Sequence, residues 1–376
     1  MKAQELRIII SGGGTGGHIF PAISIANEIR QKRPEAQILF VGAEGRMEMQ
    51  RVPAAGYEIK GLPIAGFDRK RLWRNFGVLL KIFKSKHIAR RIAKDFRPQV
   101  AVGVGGYASG PMLNVCGEMG IPTLLQEQNS YAGVTNKLLA RRAKRICVAY
   151  EGMERFFPKE RIQLTGNPVR QNLLHPTLSR SEAFTALGLE EGKRTLLIIG
   201  GSLGARTLNE SVLAHLDAIA AQADVQVLWQ TGSYYSADIQ QRLSEKGCPA
   251  NLKVTEFVAD MSAAYAVADL VVSRAGASSI SELCLLGKAS ILVPSPNVSE
   301  DHQTHNAMAL VRKTAAILVK DVDAPTTLIP QALETLRDTA VLEGLSQQVR
   351  QLAKPNAASD IADEVIRLAE AYATRA

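Results

Sequence analysis

The glycine-rich segment SGGGTGGHIFP at residues 11–21 is the part of the sequence that most constrains the fold. It follows an apolar run at 6–10 and precedes an amphipathic stretch at 22–33. A strand, a glycine turn and a helix in that order form a phosphate- or sugar-facing crevice in an open α/β sheet. Five glycines in six positions cost backbone entropy that an ordinary turn does not require, so we expect a ligand to approach this loop closely. Thr15 interrupts the glycines and His18 follows them, so the pattern is not the dinucleotide-binding fingerprint.

Apolar β-branched runs alternate with amphipathic helical patterns along the whole chain. This alternation predicts parallel sheets with helices on both faces. A second glycine loop, GGSLGAR at 200–206, restarts the pattern, so we predict an α/β protein with two doubly wound, Rossmann-like domains facing across a cleft. Strands are predicted at 6–10, 38–41, 100–104, 123–126, 145–148, 195–199, 225–229, 252–255, 270–273, 290–293 and 316–319.

The segment LTGNPVR at 164–170 predicts the domain boundary, because its glycine, asparagine and proline break regular structure. The charge balance also changes there: 1–168 carry 27 Lys and Arg against 13 Asp and Glu, whereas 169–376 carry 18 against 23. We therefore predict a first domain over 1–168 and a second over 169–354. A helix at about 355–376 is predicted to pack back on the first domain, because the second sheet is complete without it.

The cysteines, the uncharged runs and the charge distribution indicate what kinds of site, compartment and partner to expect. The four cysteines form no CxxC pair, so we expect neither a disulfide framework nor a zinc site, and a reducing cytoplasm fits. The first residues lack the long apolar run of a secretory signal, so we expect none. The longest uncharged runs are rich in glycine and broken by proline, so we expect no membrane span. The excess of basic residues in the first domain indicates an anionic partner, which is a membrane surface, a nucleic acid or a phosphorylated substrate.

Polar side chains follow the predicted strands of the second domain. In the loop at 200–206, backbone N–H groups, the Ser202 hydroxyl and a helix start can bind a diphosphate. Glu282 lies in the helix of SRAGASSISE at 273–282, where a carboxylate can accept both hydroxyls of a ribose. The segment PSPNVSEDHQTHNA at 294–307 offers groups suited to sugar hydroxyls.

No metal is predicted in this domain. His302 and His305 are three residues apart, but no supporting carboxylate or cysteine pattern accompanies them. The sequence DVD at 321–323 resembles a metal–diphosphate motif, yet its position after a strand favours a turn or a helix cap.

Seven motifs stand out along the chain. In order they are GGGTGGHIFPA at 12–22, GGYASGP at 105–111, QEQN at 126–129, GNPVR at 166–170, GGSLGAR at 200–206, SRAGASSISE at 273–282 and DHQTHNA at 301–307. Together they closely resemble the MurG family of bacterial peptidoglycan glycosyltransferases, and the resemblance spans nearly the whole chain. It implies the GT-B glycosyltransferase fold. It also implies inverting transfer of N-acetylglucosamine from UDP-N-acetylglucosamine to undecaprenyl-diphosphate-N-acetylmuramyl-pentapeptide (lipid I), giving lipid II, with no cofactor besides the donor.

The resemblance also implies roles for single residues. The backbone of Val258 matches a position that reads the uracil edge, and Glu282 matches the ribose-binding acid. Leu203 and Thr304 stand where some relatives have glutamine, so no contact is carried over to those two side chains. Positions that match the donor site are Thr15, Gly16, Gly17, Asn129, Arg170, Ser202, Val258, Glu282 and Gln303.

His18 is the candidate general base for the acceptor hydroxyl. An imidazole can accept a proton near neutral pH, and this one stands at the mouth of the first glycine loop. The alternative is a structural histidine that caps the helix.

The stretch at 69–94 contains ten Lys and Arg and no Asp or Glu. Basic charge interleaved with aromatic and aliphatic side chains is typical of a segment that lies on an anionic membrane surface. We therefore predict peripheral attachment to the cytoplasmic face of the bacterial cell membrane, and cell-wall synthesis proteins are possible further partners. A core helix with a solvated basic face is the alternative. The predicted membrane-facing residues are Leu72, Trp73, Phe76, Leu79, Leu80, Lys81, Phe83, Lys84 and Lys86.

Two other functions are alternatives to glycosyl transfer. A UDP-N-acetylglucosamine 2-epimerase can share the fold but needs no lipid-facing surface. A basic nucleic-acid-binding module would explain the charge, but aromatic residues make up only 5% of the chain and no nucleic-acid motif is recognised, so no nucleic-acid partner is predicted.

Overall fold

A computed structural model of the chain describes residues 5–64, 76–169, 173 and 176–374, without the side chains of 76–80 and 299. The chain divides into two compact units. The first comprises Met1–Arg170 together with Pro355–Ala376, and the second comprises Gln171–Lys354. The predicted boundary after residue 168 lies two residues before the observed one.

A seven-stranded parallel sheet forms the centre of the first unit. Its strands are β1 (Arg7–Ser11), β2 (Gln37–Ala43), β3 (Glu58–Leu62), β4 (Val100–Gly103), β5 (Thr123–Glu127), β6 (Arg145–Val148) and β7 (Ile162–Leu164). Their spatial order is β3-β2-β1-β4-β5-β6-β7. The strand residues of β4 and β5 are all buried, as expected for central strands covered by helices on both faces. The helices are α1 (Gly16–Lys32), α2 (Glu48–Ala54), α3 (Phe76–Phe96), α4 (Ser109–Glu118) and α5 (Val134–Leu139), with short 3₁₀ turns at Met153–Arg155 and Lys159–Arg161.

The second unit repeats this plan with a six-stranded parallel sheet. Its strands are β8 (Arg194–Ile199), β9 (Val225–Gln230), β10 (Leu252–Thr255), β11 (Leu270–Ser273), β12 (Ser290–Leu292) and β13 (Ile317–Leu318). Their spatial order is β10-β9-β8-β11-β12-β13. The helices are α6 (Arg180–Leu187), α7 (Arg206–Ala214), α8 (Leu216–Ala220), α9 (Ser236–Lys246), α10 (Met261–Val267), α11 (Ala277–Leu286), α12 (His302–Val311), α13 (Ala324–Arg337) and α14 (Thr339–Arg350), with a 3₁₀ turn at Ser299–Asp301.

Each sheet has one point at which the strand order reverses. In the first unit it lies between β1 and β4, and in the second between β8 and β11. In open α/β sheets, ligands bind at the carboxyl ends of the strands beside such a point. Both glycine-rich loops that the sequence singled out, after β1 and after β8, lie at these positions.

The helix that follows the second unit, α15 (Ala357–Ala373), packs on α1 of the first unit. Ile361 and Val365 of α15 share one apolar cluster with Ile25 and Ile29 of α1. The amphipathic pattern of α15 therefore completes the core of the first unit, which is the placement that the sequence predicted.

Candidate active site

Two glycine loops meet at the strand-order reversal of the first unit. The N–H of Gly13 donates to the carbonyl of Gly105 over 3.3 Å. A Cβ atom on Gly106 would lie 2.3 Å from the carbonyl oxygen of Gly13, so only glycine fits there. The loops after β1 and β4 therefore pack backbone against backbone at the carboxyl edge of the sheet.

The ring of His18 lies between these two loops, in the first turn of α1. Its Nδ1 is 3.1 Å from the carbonyl oxygen of Gly13 and 3.3 Å from Oγ1 of Thr15. A carbonyl oxygen can only accept, so the contact with Gly13 assigns the proton to Nδ1, which in the neutral ring leaves the lone pair on Nε2. A Cβ on Gly105 would lie 2.8 Å from Nε2, which places that nitrogen against the second loop. This tautomer is the one that can accept a proton at Nε2.

The predicted donor-site residues of the first glycine loop lie at the start of α1. Thr15 is the N-cap residue and is exposed, and its hydroxyl bonds His18 rather than capping the helix. Gly16 and Gly17 form the first helical positions and are half-buried. Their N–H groups belong to the set that an α-helix leaves without intrahelical acceptors, so this helix start can donate to an oxygen-rich ligand.

The loop after β5 is organised around the buried carboxylate of Glu127. Its Oε1 accepts from the N–H of Asn129 over 3.1 Å. Its Oε2 accepts from the N–H of Gly133 over 3.0 Å and from Nδ2 of Asn136 over 2.9 Å. Burial raises the pKa of Glu127, although these hydrogen bonds act in the opposite direction. Glu127 thus fixes both ends of the loop and sets the position of Asn129, which is half-buried.

In the second unit, the loop after β8 is locked to the turn after β9. A Cβ on Gly232 would lie 2.1 Å from the backbone nitrogen of Gly204, so both turns depend on glycine. The N–H of Ser233 donates to the carbonyl of Ser202 over 3.1 Å. Ser202 itself is exposed, four residues before α7 begins. The loop can therefore present a hydroxyl and a helix start to the same anion.

Glu282 is buried in α11, where it makes a hydrogen bond that the sequence did not predict. Its Oε2 accepts from the hydroxyl of Tyr265 over 3.0 Å. Tyr265 is one of the largest fully buried side chains of the unit. Glu282 therefore has a structural contact in the core, and its predicted role at a ribose remains a prediction.

The remaining predicted donor-site residues are Gln303 and Val258 of the second unit and Arg170 at the end of the first. Oε1 of Gln303, on α12, accepts from the N–H of Ser295 over 2.8 Å and closes the loop at 294–303. Val258 is buried, three residues after β10 ends. Arg170 lies outside the described residues. The structure thus places Ser202, Val258 and Glu282 after three strands that end at one edge of the second sheet.

The acids of the DVD sequence at 321–323 are used within the fold. The carboxylate of Asp321 pairs with Arg274 and accepts from Oγ1 of Thr207 over 3.0 Å. Asp323 is the N-cap residue of α13, and its carbonyl accepts from the N–H of Thr327 over 3.1 Å. This agrees with the interpretation of the segment as the start of a helix. Within the described part of the chain, no group of three or more His, Cys, Asp or Glu side chains could hold a metal ion.

Sequence reasoning missed Glu48, which lies under the first glycine loop. This side chain is only 1% exposed. Its carboxylate accepts from the N–H of Gly14 over 2.9 Å and from the N–H of Ala43 over 3.0 Å. Its only signal in the sequence is an acid in the first turn of a helix, which is a common surface feature.

The predicted membrane-facing stretch lies partly on the described turns of α3. Lys81 and Lys84 are exposed and Phe83 is 72% exposed. Lys86 donates to Glu118 of α4 over 3.0 Å, so part of its charge is neutralised within the first unit, and its membrane-facing role stays a prediction. Leu72 and Trp73 lie outside the described residues, as do the side chains of Phe76, Leu79 and Leu80. Among the helices that the structure describes, none combines the length and the apolar character needed to cross a membrane.

Family models match both halves of the chain. The glycosyltransferase family 28 N-terminal domain matches residues 8–148, and the family 28 C-terminal domain matches residues 195–365. The chain belongs to glycosyltransferase family 28. The two matched regions start in β1 and β8, and each includes the glycine loop that follows its first strand.

Two named relatives show which members of family 28 this chain resembles. It is 63% identical to a UDP-N-acetylglucosamine–N-acetylmuramyl-(pentapeptide) pyrophosphoryl-undecaprenol N-acetylglucosamine transferase of Bacteroides fragilis, over 98% of this chain and 97% of the relative. The protein of the same name from Porphyromonas gingivalis is 54% identical, over 97% and 96%. The resemblance to the MurG family is therefore confirmed.

Solved structures support the same family 28 fold. The crystal structure of MurG from Acinetobacter baumannii is similar, with a TM-score of 0.76 and 29% identity over 96% of this chain and 99% of that one. A UDP-GlcNAc 2-epimerase from Neisseria meningitidis has a TM-score of 0.66 at 14% identity, over 96% and 100%, which shows a shared fold alone. The predicted fold class, two doubly wound domains of the glycosyltransferase type, is confirmed.

Proposed function

We propose that this chain transfers N-acetylglucosamine from UDP-N-acetylglucosamine to lipid I and forms lipid II. The observation that carries the proposal is the placement of His18 at the strand-order reversal of the first sheet, with Nδ1 3.1 Å from the carbonyl oxygen of Gly13, a contact that assigns the lone pair to Nε2. The names of relatives that share more than half of its residues over nearly the whole chain support the same reaction.

The reaction is a single displacement of UDP at the anomeric carbon, and the proton of the acceptor hydroxyl passes to His18. The acceptor hydroxyl oxygen bonds to the anomeric carbon of the sugar while the bond from that carbon to the UDP oxygen breaks. Nε2 of His18 accepts the hydroxyl proton as the oxygen attacks, which is general-base catalysis. Attack opposite the leaving group inverts the anomeric configuration.

Charge that develops on UDP requires preorganised donors. The N–H groups of the loop after β8, the exposed Ser202 hydroxyl and the start of α7 supply them at one edge of the second sheet. Glu282 binds the ribose hydroxyls, the backbone of Val258 reads the uracil edge and Gln303 contacts the donor. In this assignment the first domain binds the lipid-linked acceptor, together with donor contacts from Thr15, Gly16, Gly17, Asn129 and Arg170.

A transfer assay tests this function. The chain is incubated with UDP-N-acetylglucosamine and a short-chain analogue of lipid I, and UDP release is measured with the glycosylated product. Acceptor-dependent UDP release supports transfer. Conversion of the donor sugar to its 2-epimer without acceptor would instead establish the epimerase, and salt-dependent binding of single-stranded RNA without UDP release would establish a nucleic-acid module.

We further propose that the first domain attaches peripherally to the cytoplasmic face of the cell membrane through α3. An exposed phenylalanine between exposed lysines suits an anionic bilayer, where each lysine near the surface contributes about 1 kcal/mol. The face opposite Phe83, with Ser85, Ala89 and Ile92, is buried. Lys81 lies one turn before Ser85, where this face is exposed. The alternative, a core helix with a solvated basic face, therefore explains the buried face of α3 but not the exposed Phe83.

Flotation with liposomes tests the attachment. The double variant Lys81→Glu/Lys84→Glu should lose binding to anionic vesicles while its affinity for UDP stays unchanged. Lys86 is left in place because its reversal would set two acids against each other at Glu118. A matched control, Lys144→Glu/Lys159→Glu, makes the same change in net charge at two other exposed lysines of the first unit. Equal loss in both variants, or no preference for anionic lipid, would contradict the proposal.

A further inference from the structure

One peptide unit, between Gly13 and Gly14, lies between two ionisable side chains. Its N–H, on Gly14, donates to Oε2 of Glu48 over 2.9 Å. Its carbonyl, on Gly13, lies 3.1 Å from Nδ1 of His18. In a trans peptide the N–H and the carbonyl point in opposite directions. Glu48 and His18 therefore contact opposite sides of the same peptide.

The surroundings of Glu48 are shaped around its carboxylate. Its other oxygen accepts from the N–H of Ala43, at the end of β2, over 3.0 Å. A Cβ on Gly42 would lie 2.6 Å from Cγ of Glu48, and a Cβ on Gly13 would lie 2.2 Å from Oε1. A carboxylate has two oxygens that only accept, so it matches two backbone N–H donors where a neutral amide cannot.

The two glycines would allow this peptide to rotate. Gly13 has φ +147° and Gly14 has φ +88°, and a Cβ on Gly14 would meet nothing within 4 Å. If the peptide flipped, the N–H of Gly14 would point toward His18 and would favour the tautomer with its lone pair on Nδ1. The flip would also turn a carbonyl toward the carboxylate of Glu48, which is repulsive. Glu48 therefore opposes the flip.

We infer that Glu48 is a positioning residue for transfer: it fixes the Gly13–Gly14 peptide and, through that peptide, keeps the proton of His18 on Nδ1. The inference rests on the proposed function, in which Nε2 of His18 is the base. The charge-assisted hydrogen bond to Glu48 also polarises the peptide, and this strengthens the carbonyl as an acceptor for Nδ1–H. Glu48 thus acts on the reaction without contact with substrate.

The test compares Glu48→Gln with Glu44→Gln. Glutamine at 48 can accept from only one of the two N–H groups and sets an amide NH₂ against the other. Glu44 is an exposed acid in the loop that joins β2 to α2, just before Glu48. Nitrogen NMR of histidine-labelled protein without substrate, with the His18 signal assigned from His18→Ala, should show Nδ1–H in the wild type. Glu48→Gln should shift His18 toward the Nε2–H form, and Glu44→Gln should not.

Kinetics give a second, independent result. Glu48→Gln should lower kcat by about tenfold or more, with KM for UDP-N-acetylglucosamine within twofold of the wild-type value, and should cause no further loss in a His18→Ala background. A wild-type tautomer in Glu48→Gln, or an equal further loss in the His18→Ala background, would overturn the inference.

A variant that keeps the charge covers the case in which Glu48→Gln does not fold. Glu48→Asp is one methylene shorter and cannot bridge both donors, so it should show the same tautomer shift. An unchanged tautomer there would also overturn the inference. If the wild-type chain released no UDP with lipid I, the proposed function would fail, while the NMR comparison would still decide the link between Glu48 and His18.

Discussion

Replacement of Glu364 by glutamine should loosen the contact between α15 and the rest of the first unit. Oε1 of Glu364 accepts from Nε of Arg145 over 2.8 Å and from a terminal nitrogen of Arg367 over 2.6 Å. Oε2 accepts from Nε of Arg367 over 2.8 Å. Glutamine keeps one acceptor oxygen and turns an NH₂ group toward a guanidinium, so at least one charge-assisted hydrogen bond is lost.

The size of the effect follows from these contacts. A hydrogen bond to a charged group contributes about 1.5–3 kcal/mol. The side chains of Arg145 and Arg367 are 29% and 56% exposed, so water can replace part of what is lost. We therefore expect about 2 kcal/mol, which corresponds to a roughly 30-fold rise in the opening equilibrium.

Hydrogen exchange across 357–373 measures that opening. Asp363→Asn is the matched control. Asp363 directly precedes Glu364 on α15 and pairs with Lys32 of α1, but its side chain is 63% exposed. An exposed pair contributes less than about 1 kcal/mol, so exchange in this variant should change little. Equal exchange in the two variants would refute the argument that burial decides the strength of the pair.

The same contact predicts a pH dependence. Burial alone would raise the pKa of Glu364, but hydrogen bonds from Arg367 and Arg145 outweigh it and hold the pKa below its ordinary value. The stability from this carboxylate is therefore present above the unfolded-state pKa of about 4.3 and is lost as the pH falls through the lower native value. The difference in stability between the wild type and Glu364→Gln should shrink as the pH falls through that range.

Three further variants test the two units. His18→Ala should lower kcat by about 10²-fold with an unchanged circular dichroism spectrum, and an unaltered kcat would leave His18 structural. Glu282→Ala should weaken donor binding by roughly 1.5–3 kcal/mol, and it also removes this acceptor from the Tyr265 hydroxyl. Glu282→Gln keeps an acceptor for the tyrosine and serves as the control. A donor KM that is unchanged in both variants would contradict the ribose role. Asn209→Ala should destabilise the second unit by about 1–3 kcal/mol, seen in denaturation followed by Trp229 fluorescence, because Asn209 accepts from the buried indole N–H over 3.0 Å; an unchanged midpoint would contradict this.

Central strands were predictable because their burial on both faces produces continuous apolar runs. All eleven predicted strands occur within two residues of their expected ends. The two strands that were not predicted, Glu58–Leu62 and Ile162–Leu164, lie at the edges of the first sheet. The former has the sequence EIKGL and the latter has three residues, so neither shows a sustained apolar pattern.

The candidate site was predictable where it depends on backbone conformation and not where it depends on distant contacts. Glycine clusters after strands locate both loops, because few other features require so many glycines. The contact of Glu48 with the glycine loop joins residues 34 positions apart, and that of Glu282 with Tyr265 joins residues 17 apart. Local patterns carry no information on such pairs, and only the packed sheet brings them together.

The return of α15 to the first unit has a consequence for synthesis on the ribosome. The chain must pass through the whole second unit, Gln171–Lys354, before this helix exists. At roughly 5–20 residues per second, that interval lasts on the order of 10–40 s. Until then Ile25 and Ile29 of α1 lack their partners on α15. The nascent first unit thus carries an open apolar groove that a chaperone could shield, while the second unit, continuous in sequence, can fold before it.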